Sequence, residues 1–151
     1  LKATYLPQDL CFIAEGGEGT AAWLPPGVEA KPGPLLMARM MSLMLFTAKS
    51  GAFKRLDALS TAMGKAHPKE AHYYLFAIGV RTGFQGRGIG KALMKPVLEQ
   101  ADKEGMPCYL ESSKESNIPV YRAVGFELSG EIRPAPDAPV LYPMWREPHS
   151  A

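Results

Sequence analysis

Apolar residues change their spacing several times along this chain, and each change predicts a new element. The densest run, Tyr73-Tyr74-Leu75-Phe76-Ala77-Ile78-Gly79-Val80, is aromatic and β-branched and reads as a strand. Beyond it Ala92, Leu93, Met94, Val97, Leu98 and Ala101 recur at helical spacing, and Pro96 should kink that helix by removing a backbone donor. Pro107-Cys108-Tyr109-Leu110-Glu111 predicts a short strand, residues 112–117 a loop, and residues 118–124 a short helix closed by Gly125. Upstream, Phe12-Ile13-Ala14-Glu15 and Thr20-Ala21-Ala22-Trp23-Leu24 form a hairpin pattern around Gly16-Gly17-Glu18-Gly19, ended by Pro25-Pro26-Gly27. Two helices, 34–49 and 52–65, are expected between hairpin and central strand, divided at Ser50-Gly51. Met37, Met40, Met41 and Met44 fall along the first, as core filling or as a pliable lining for an apolar acceptor. Residues 126–132 and 140–145 read as a final antiparallel pair joined by the proline-rich stretch 134–139. The order β-β-α-α-β-α-β-α-β-β predicts an α/β protein whose mixed sheet carries helices on both faces.

Composition narrows the class. With 151 residues and 46% apolar content the chain can bury one core, and nothing marks a linker, so residues 1–151 are expected to form a single domain. A net charge of +2, with the bases scattered, argues against a nucleic-acid partner. The longest apolar stretch, residues 35–48, contains Arg39 and is too short to span a bilayer, and no signal peptide is visible. Cys11 and Cys108 show no metal spacing and read as thiols in a reducing compartment. The expectation is therefore a cytoplasmic protein without metal or membrane.

Candidate chemistry concentrates in Phe84-Gln85-Gly86-Arg87-Gly88-Ile89-Gly90-Lys91, set between the central strand and its helix. At a helix N-terminus the first amides lack intrahelical partners and the dipole presents partial positive charge, so the loop suits a pyrophosphate, with Arg87 and Lys91 at its rim. A Walker loop is excluded because Gly90-Lys91 is followed by Ala92 instead of Ser or Thr. A Rossmann loop fits poorly, since residues 81–85 separate strand and glycines, yet Glu111 imitates the ribose-binding acid and keeps an NAD-binding domain as an alternative. A plain glycine-rich helix cap is the third reading.

Taken together, Gln85-x-x-Gly88-x-Gly90 and Asn117-Ile118-Pro119-Val120-Tyr121-Arg122-Ala123-Val124-Gly125-Phe126 resemble two ordered motifs of the GNAT superfamily of acyl-CoA-dependent N-acetyltransferases. The likeness covers residues 72–148 well and 12–26 loosely. The runs His67-Pro68-Lys69-Glu70, Tyr109-Leu110-Glu111-Ser112 and Pro143-Met144-Trp145-Arg146 look most like the branch that includes puromycin N-acetyltransferase. The resemblance implies acetyl transfer from acetyl-CoA to a primary amine of a small molecule or peptide. It implies that residues 85–91 hold the pyrophosphate, that Ile78, Gly79 and Val80 receive the pantetheine arm and offer an amide to the thioester oxygen, and that Asn117 steadies that arm. Tyr121 matches the tyrosine that protonates the departing thiolate, and a module that binds CoA without catalysis is a further alternative.

The base is less sharply indicated. Glu111 ends its strand beside the region where the family's sheet opens, and partial burial would suit a carboxylate to that role. His72 is a weaker candidate, and His67, before a proline, is expected on the surface. Val120 and Arg122-Ala123-Val124 depart from the branch pattern and bear on acceptor shape. The family's first strand and helices look absent, with residues 1–8 as a remnant, which would leave residues 12–15 as an open sheet edge and favour a homodimer.

Overall fold

The computed structural model describes residues 2–6, 9–28 and 52–149. Its strands are β1 (Lys2–Leu6), β2 (Asp9–Ile13), β3 (Gly19–Leu24), β4 (Tyr73–Val80), β5 (Cys108–Ser112), β6 (Glu127–Leu128) and β7 (Tyr142–Arg146). Its α-helices are α1 (Ala52–Ala66), α2 (Ile89–Glu104) and α3 (Ile118–Arg122), the last entered through a 3₁₀ turn at Glu115–Asn117. The predicted helix over 34–49, with its methionines, lies outside the described residues.

These strands form one mixed sheet in the order β1-β2-β3-β4-β5-β7-β6. Among the described residues β4 and β5 make the one parallel pair, which argues against the dinucleotide-binding alternative, whose sheet is mostly parallel. Residues 12–15 are not an open edge: β1 pairs along β2 from Lys2↔Ile13 to Leu6↔Asp9, so the strand expected to be missing is supplied from residues 2–6. The edge argument for a dimer, as expected from the sequence, loses its basis at Phe12.

Strand alternation assigns two faces. Tyr73 and Leu75 of β4 lie on the same side as Cys108 and Leu110 of β5 and Met144 of β7, and α2 covers that side with Leu93, Met94, Val97, Leu98 and Ala101. Trp23, Phe12, Ile118, Tyr121 and Phe126 complete this core. The helix passes through Pro96 as one element; Ala92, whose carbonyl loses its partner there, is exposed to water.

Two elements are shorter than predicted, for local reasons. The strand expected over 126–132 shrinks to Glu127–Leu128 plus an isolated Ile132↔Leu141 bridge. Ser129 donates to the Pro143 carbonyl at 2.9 Å, but proline has no N–H to return the bond, so the ladder stops. The short helix ends at Arg122 because Val124 and Gly125 donate to Tyr121 and Arg122 three residues back. Gly125 has φ +95°, and a Cβ there would meet Arg146 Nε and the His149 ring at 3.1 Å, so the close of the motif requires glycine.

Arg146 locks this corner. Its guanidinium, almost fully buried, forms a two-point pair with Asp102 at 2.7 and 2.8 Å and donates through Nε to the Val124 carbonyl at 2.9 Å. The Arg146 hydrogen bonds, with a further bond from the His149 amide, hold the Asp102 carboxyl below its ordinary range against the opposing effect of burial. The end of α2 is thereby tied to β7 and to the loop after α3.

Candidate active site

The sheet opens at its centre. Only Tyr73 and Tyr74 of β4 pair with β5, opposite Cys108 and Tyr109; past that point β4 stays with β3 while β5 stays with β7. The parting begins at a bulge: Trp23 faces Leu75 and Ala22 faces Ala77, leaving Phe76 as the extra residue, 57% exposed. An extra residue bends a strand and reverses the alternation of its side chains. Buried Tyr73 and Leu75 accordingly give way to half-buried Ile78 and Val80. The backbone of residues 76–80 on the side away from β3 has no strand partner among the described residues, leaving main-chain groups that an extended ligand can pair with.

The loop after β4 continues from this free end. Arg81 N–H donates to the Glu18 carbonyl at 2.7 Å, and the Gln85 amide to the Val80 carbonyl at 3.3 Å, holding the loop against the hairpin and the strand. The Arg81 and Arg87 guanidiniums lie 5.9 and 5.2 Å from the centre of the Phe84 ring. Gly86 and Gly88 have φ +76° and +78°, and a Cβ built on either meets nothing within 4 Å, so open space lies beside the backbone where side chains would stand. Gly88 starts α2 with no side-chain cap, and its carbonyl takes the Ala92 N–H at 3.0 Å, so the amides of Ile89, Gly90 and Lys91 precede the helical ladder. Open space and uncapped amides together fit a pyrophosphate.

Tyr121 stands in α3, 8% exposed, with its ring 6.3 Å from Phe126 and no hydrogen-bond partner for its hydroxyl among the described residues. Burial raises its phenol above the ordinary value, which keeps it protonated at neutral pH. Asn117 makes no capping hydrogen bond to the helix, so simple capping does not explain it.

Glu111 faces the opposite side of the sheet from Leu110, and its side chain is 3% exposed. Oε2 accepts the Tyr74 hydroxyl at 2.6 Å, whereas Oε1 is buried without a hydrogen-bond partner and lies 3.8 Å from His67 Nδ1. Burial first, and then the charge of Glu111, push the Tyr74 phenol far up, so it remains a donor to the carboxylate. Tyr109 and His72 complete an aromatic cluster around the His67 ring, which is 4.9 Å from His72, 5.0 Å from Tyr74 and 5.2 Å from Tyr109, and Trp145 packs behind them on His72. His72 pairs through Nδ1 with the Glu70 carbonyl at 2.6 Å, and burial lowers its pKa, so it stays a neutral structural donor.

Sequence reasoning missed Tyr74 and His67 as neighbours of Glu111. The signal for Tyr74 was available, because alternation places it on one face with Tyr109 and Glu111. His67 had no such signal: it follows α1 and comes back to the sheet only through the turn at residues 67–72, although its side chain remains 38% exposed as a surface residue would be.

Residues 42–126, more than half of the chain, match the sequence profile of the acetyltransferase (GNAT) family. An uncharacterised N-acetyltransferase of Schizosaccharomyces pombe is 43% identical over 54 residues, covering 36% of this chain and 22% of that protein. The N-alpha-acetyltransferase RimI of Mycobacterium tuberculosis is 37% identical over 85 residues, covering 55% of this chain and 51% of its own length. This chain thus matches about half or less of the length of these relatives. A solved structure described as histone acetyltransferase HPA2 and related acetyltransferase, from Corynebacterium glutamicum, shares the fold with a TM-score of 0.63 at 22% identity, over 96% of this chain and 67% of that one. The split strands, the uncapped glycine loop and the profile match agree, and the chain belongs to the GNAT family of acetyltransferases.

Proposed function

We propose that these residues lie in one cytoplasmic acetyltransferase domain that moves an acetyl group from acetyl-CoA to a primary amine of a small molecule or peptide. The parting of β4 from β5 beside an uncapped glycine loop carries this reading, because it offers an unpaired strand edge followed by uncapped helix amides for a long phosphorylated thioester. Gln85, Gly86, Arg87, Gly88, Ile89, Gly90 and Lys91 would take the pyrophosphate, Ile78, Gly79 and Val80 the pantetheine arm, and Asn117 its far side. Acetyl-CoA supplies the activated acyl group, and a free strand amide in 78–80 would donate to its carbonyl oxygen.

An alkylammonium has a reference pKa of about 10, so a base must remove a proton before attack. Glu111 takes that part; because it is buried, the proton reaches it through a water. Tyr121 gives its phenolic proton to the departing thiolate and is reprotonated by the second proton that the acylated nitrogen loses. Tyr121 belongs to the α2-side core and Glu111 to the other face, so acid and base approach the gap from opposite sides of the layer. Such a split lets the amine enter on one face while the thiolate leaves toward the other.

The runs at residues 67–70, 109–112 and 143–146 support placement in the branch that includes puromycin N-acetyltransferase, and the relative named N-alpha-acetyltransferase supports a peptide α-amine as acceptor. A homodimer, if formed, would use the outer strand β1 as its edge. Thermal shifts with acetyl-CoA, CoA and NAD, followed by transfer assays on an alanine-terminated peptide and n-butylamine, test the reading. Stabilisation by both CoA species but not NAD, with acetylated amine released, is expected. Binding of CoA without acetylation would instead identify a non-catalytic module, and absence of CoA binding would overturn the assignment.

A further inference from the structure

Glu111 poses a problem that its role as base makes acute: a carboxyl that receives a proton must lose it before the next turnover, and the side chain of this one is only 3% exposed. Oε2 is occupied by the Tyr74 hydroxyl at 2.6 Å. Oε1 is buried and unpartnered. A buried, unpaired carboxylate oxygen is costly to maintain, so one expects a group positioned to serve it.

Among the described residues, the titratable groups facing this carboxylate are Tyr74 on β4, Tyr109 on β5, and His67 and His72 on the turn after α1. Both tyrosines are pushed up by burial and then by the Glu111 charge, so neither accepts or releases a proton near neutral pH. His72 is buried, neutral and engaged with the Glu70 carbonyl. His67 differs from all of these: its Nδ1 lies 3.8 Å from Oε1 while its side chain is 38% exposed, so one ring touches both the sealed carboxylate and the solvent. One water molecule, or a small rotation of the ring, closes the 3.8 Å gap.

We propose that His67 is the proton exit of Glu111, relaying to solvent the proton that the carboxylate takes from the acceptor amine. The inference rests on the reading of Glu111 as the base. An amine N–H bond breaks as an O–H bond forms on Glu111. That O–H bond then breaks as an N–H bond forms at His67 Nδ1, and the imidazolium turns and releases that same proton to water, so the ring returns to the tautomer that accepts at Nδ1 and charge and protons balance over the cycle. His67 acts through Glu111 and not on the substrate, so it is a positioning residue for proton flow, and an imidazole is the side chain suited to gain and lose a proton near neutral pH.

The test uses His67→Ala and His67→Gln in the whole chain, with acetyl-CoA and an alanine-terminated peptide. If the relay operates, kcat falls roughly 10-fold or more in both variants while KM for either substrate changes little, as for loss of one proton-transfer step. Added imidazole should restore kcat in His67→Ala. Pyrazole, which has nearly the same shape but is a far weaker base, should not. Rescue by pyrazole as well would show that only the ring's volume matters, and wild-type kcat in both variants, independent of buffer concentration, would equally overturn the relay. Glu111→Gln separates the two readings: loss of turnover without imidazole rescue is expected, whereas full activity in that variant removes Glu111 as base and the relay with it.

Discussion

Leu110 and Glu111 are neighbours on β5, yet they belong to regions with opposite properties. Leu110 points into the layer under α2, in one cluster with Leu93, Met94, Val97 and Met144, and is 1% exposed. Glu111 points the other way into a cluster of tyrosine, histidine and tryptophan rings, equally buried but with an oxygen that has no partner. The first region is a close-packed core, whose one buried side-chain nitrogen or oxygen without a hydrogen-bond partner among the described residues is the Trp23 indole Nε1. The second breaks the rule that buried polar groups are paired, and it does so beside the place where the strands part. Packing and chemistry are thus separated by one residue of sequence, because successive side chains on a strand face opposite sides.

That contrast predicts that changes in the open region cost activity while changes in the packed region cost stability. The largest effect is expected at Gly88→Asp. Gly88 has φ +78°, so the substitution strains the loop by about 1–2 kcal/mol, a local cost the fold should survive, while the added charge would oppose a pyrophosphate by about 4 kcal/mol, roughly 10³-fold in affinity for acetyl-CoA. Calorimetry showing unchanged affinity would move the phosphate site elsewhere.

Next is the adjacent pair. Leu110→Ala should lower unfolding free energy by about 3 kcal/mol through lost burial and a cavity. Glu111→Gln should leave stability within about 1 kcal/mol of the parent, or raise it, because a buried charge is removed and the amide oxygen can still accept from Tyr74. Denaturant melts of the two variants decide the matter; a large loss in Glu111→Gln would make that carboxylate structural.

Tyr121→Phe tests the boundary between the regions, since the ring belongs to the core while the hydroxyl is proposed to serve the gap. Turnover should fall roughly 10²-fold with melting temperature and CoA affinity little changed. Equal turnover, with chemistry shown to limit the rate, would return Tyr121 to packing alone.

The smallest effect concerns the corner held by Arg146. Asp102→Asn should cost about 2 kcal/mol at neutral pH by weakening a charge-assisted pair to a buried guanidinium. Hydrogen bonds from Arg146 hold the Asp102 carboxyl below its ordinary range, so its contribution is complete above about pH 4 and fades as the pH falls further. Melting temperatures of parent and variant should therefore converge in acid. A gap that persists there would show that the carboxylate charge is not what the corner uses.

How much of this was legible beforehand depends on whether a signal is local. The central strand over residues 73–80 matches its sequence reading residue for residue, because aromatic and β-branched side chains carry a strong strand preference. The glycine loop was equally readable, since left-handed backbone angles at Gly86 and Gly88 need glycine whatever surrounds them. The final strand pair was overestimated because apolar alternation continues past Ser129, whereas the missing N–H of Pro143 across the sheet ends the ladder. The edge at Phe12 was misjudged because the short run at residues 2–6 has little pattern of its own and becomes a strand by pairing with β2.

By itself, then, the sequence determined the central strand, the helix after it and the glycine loop between them, and that Tyr121 and Asn117 occupy a recognisable motif. Each of these follows from chemistry within a few residues. Only the tertiary structure decided that β4 leaves β5 at Phe76, that Glu111 is sealed with one oxygen unpaired, and that His67 stands between that oxygen and water. The Arg146–Asp102 clamp, 44 residues apart in sequence, belongs with them. Such features depend on which strands neighbour one another and which side chains then compete for the same buried space, and no short-range pattern encodes that.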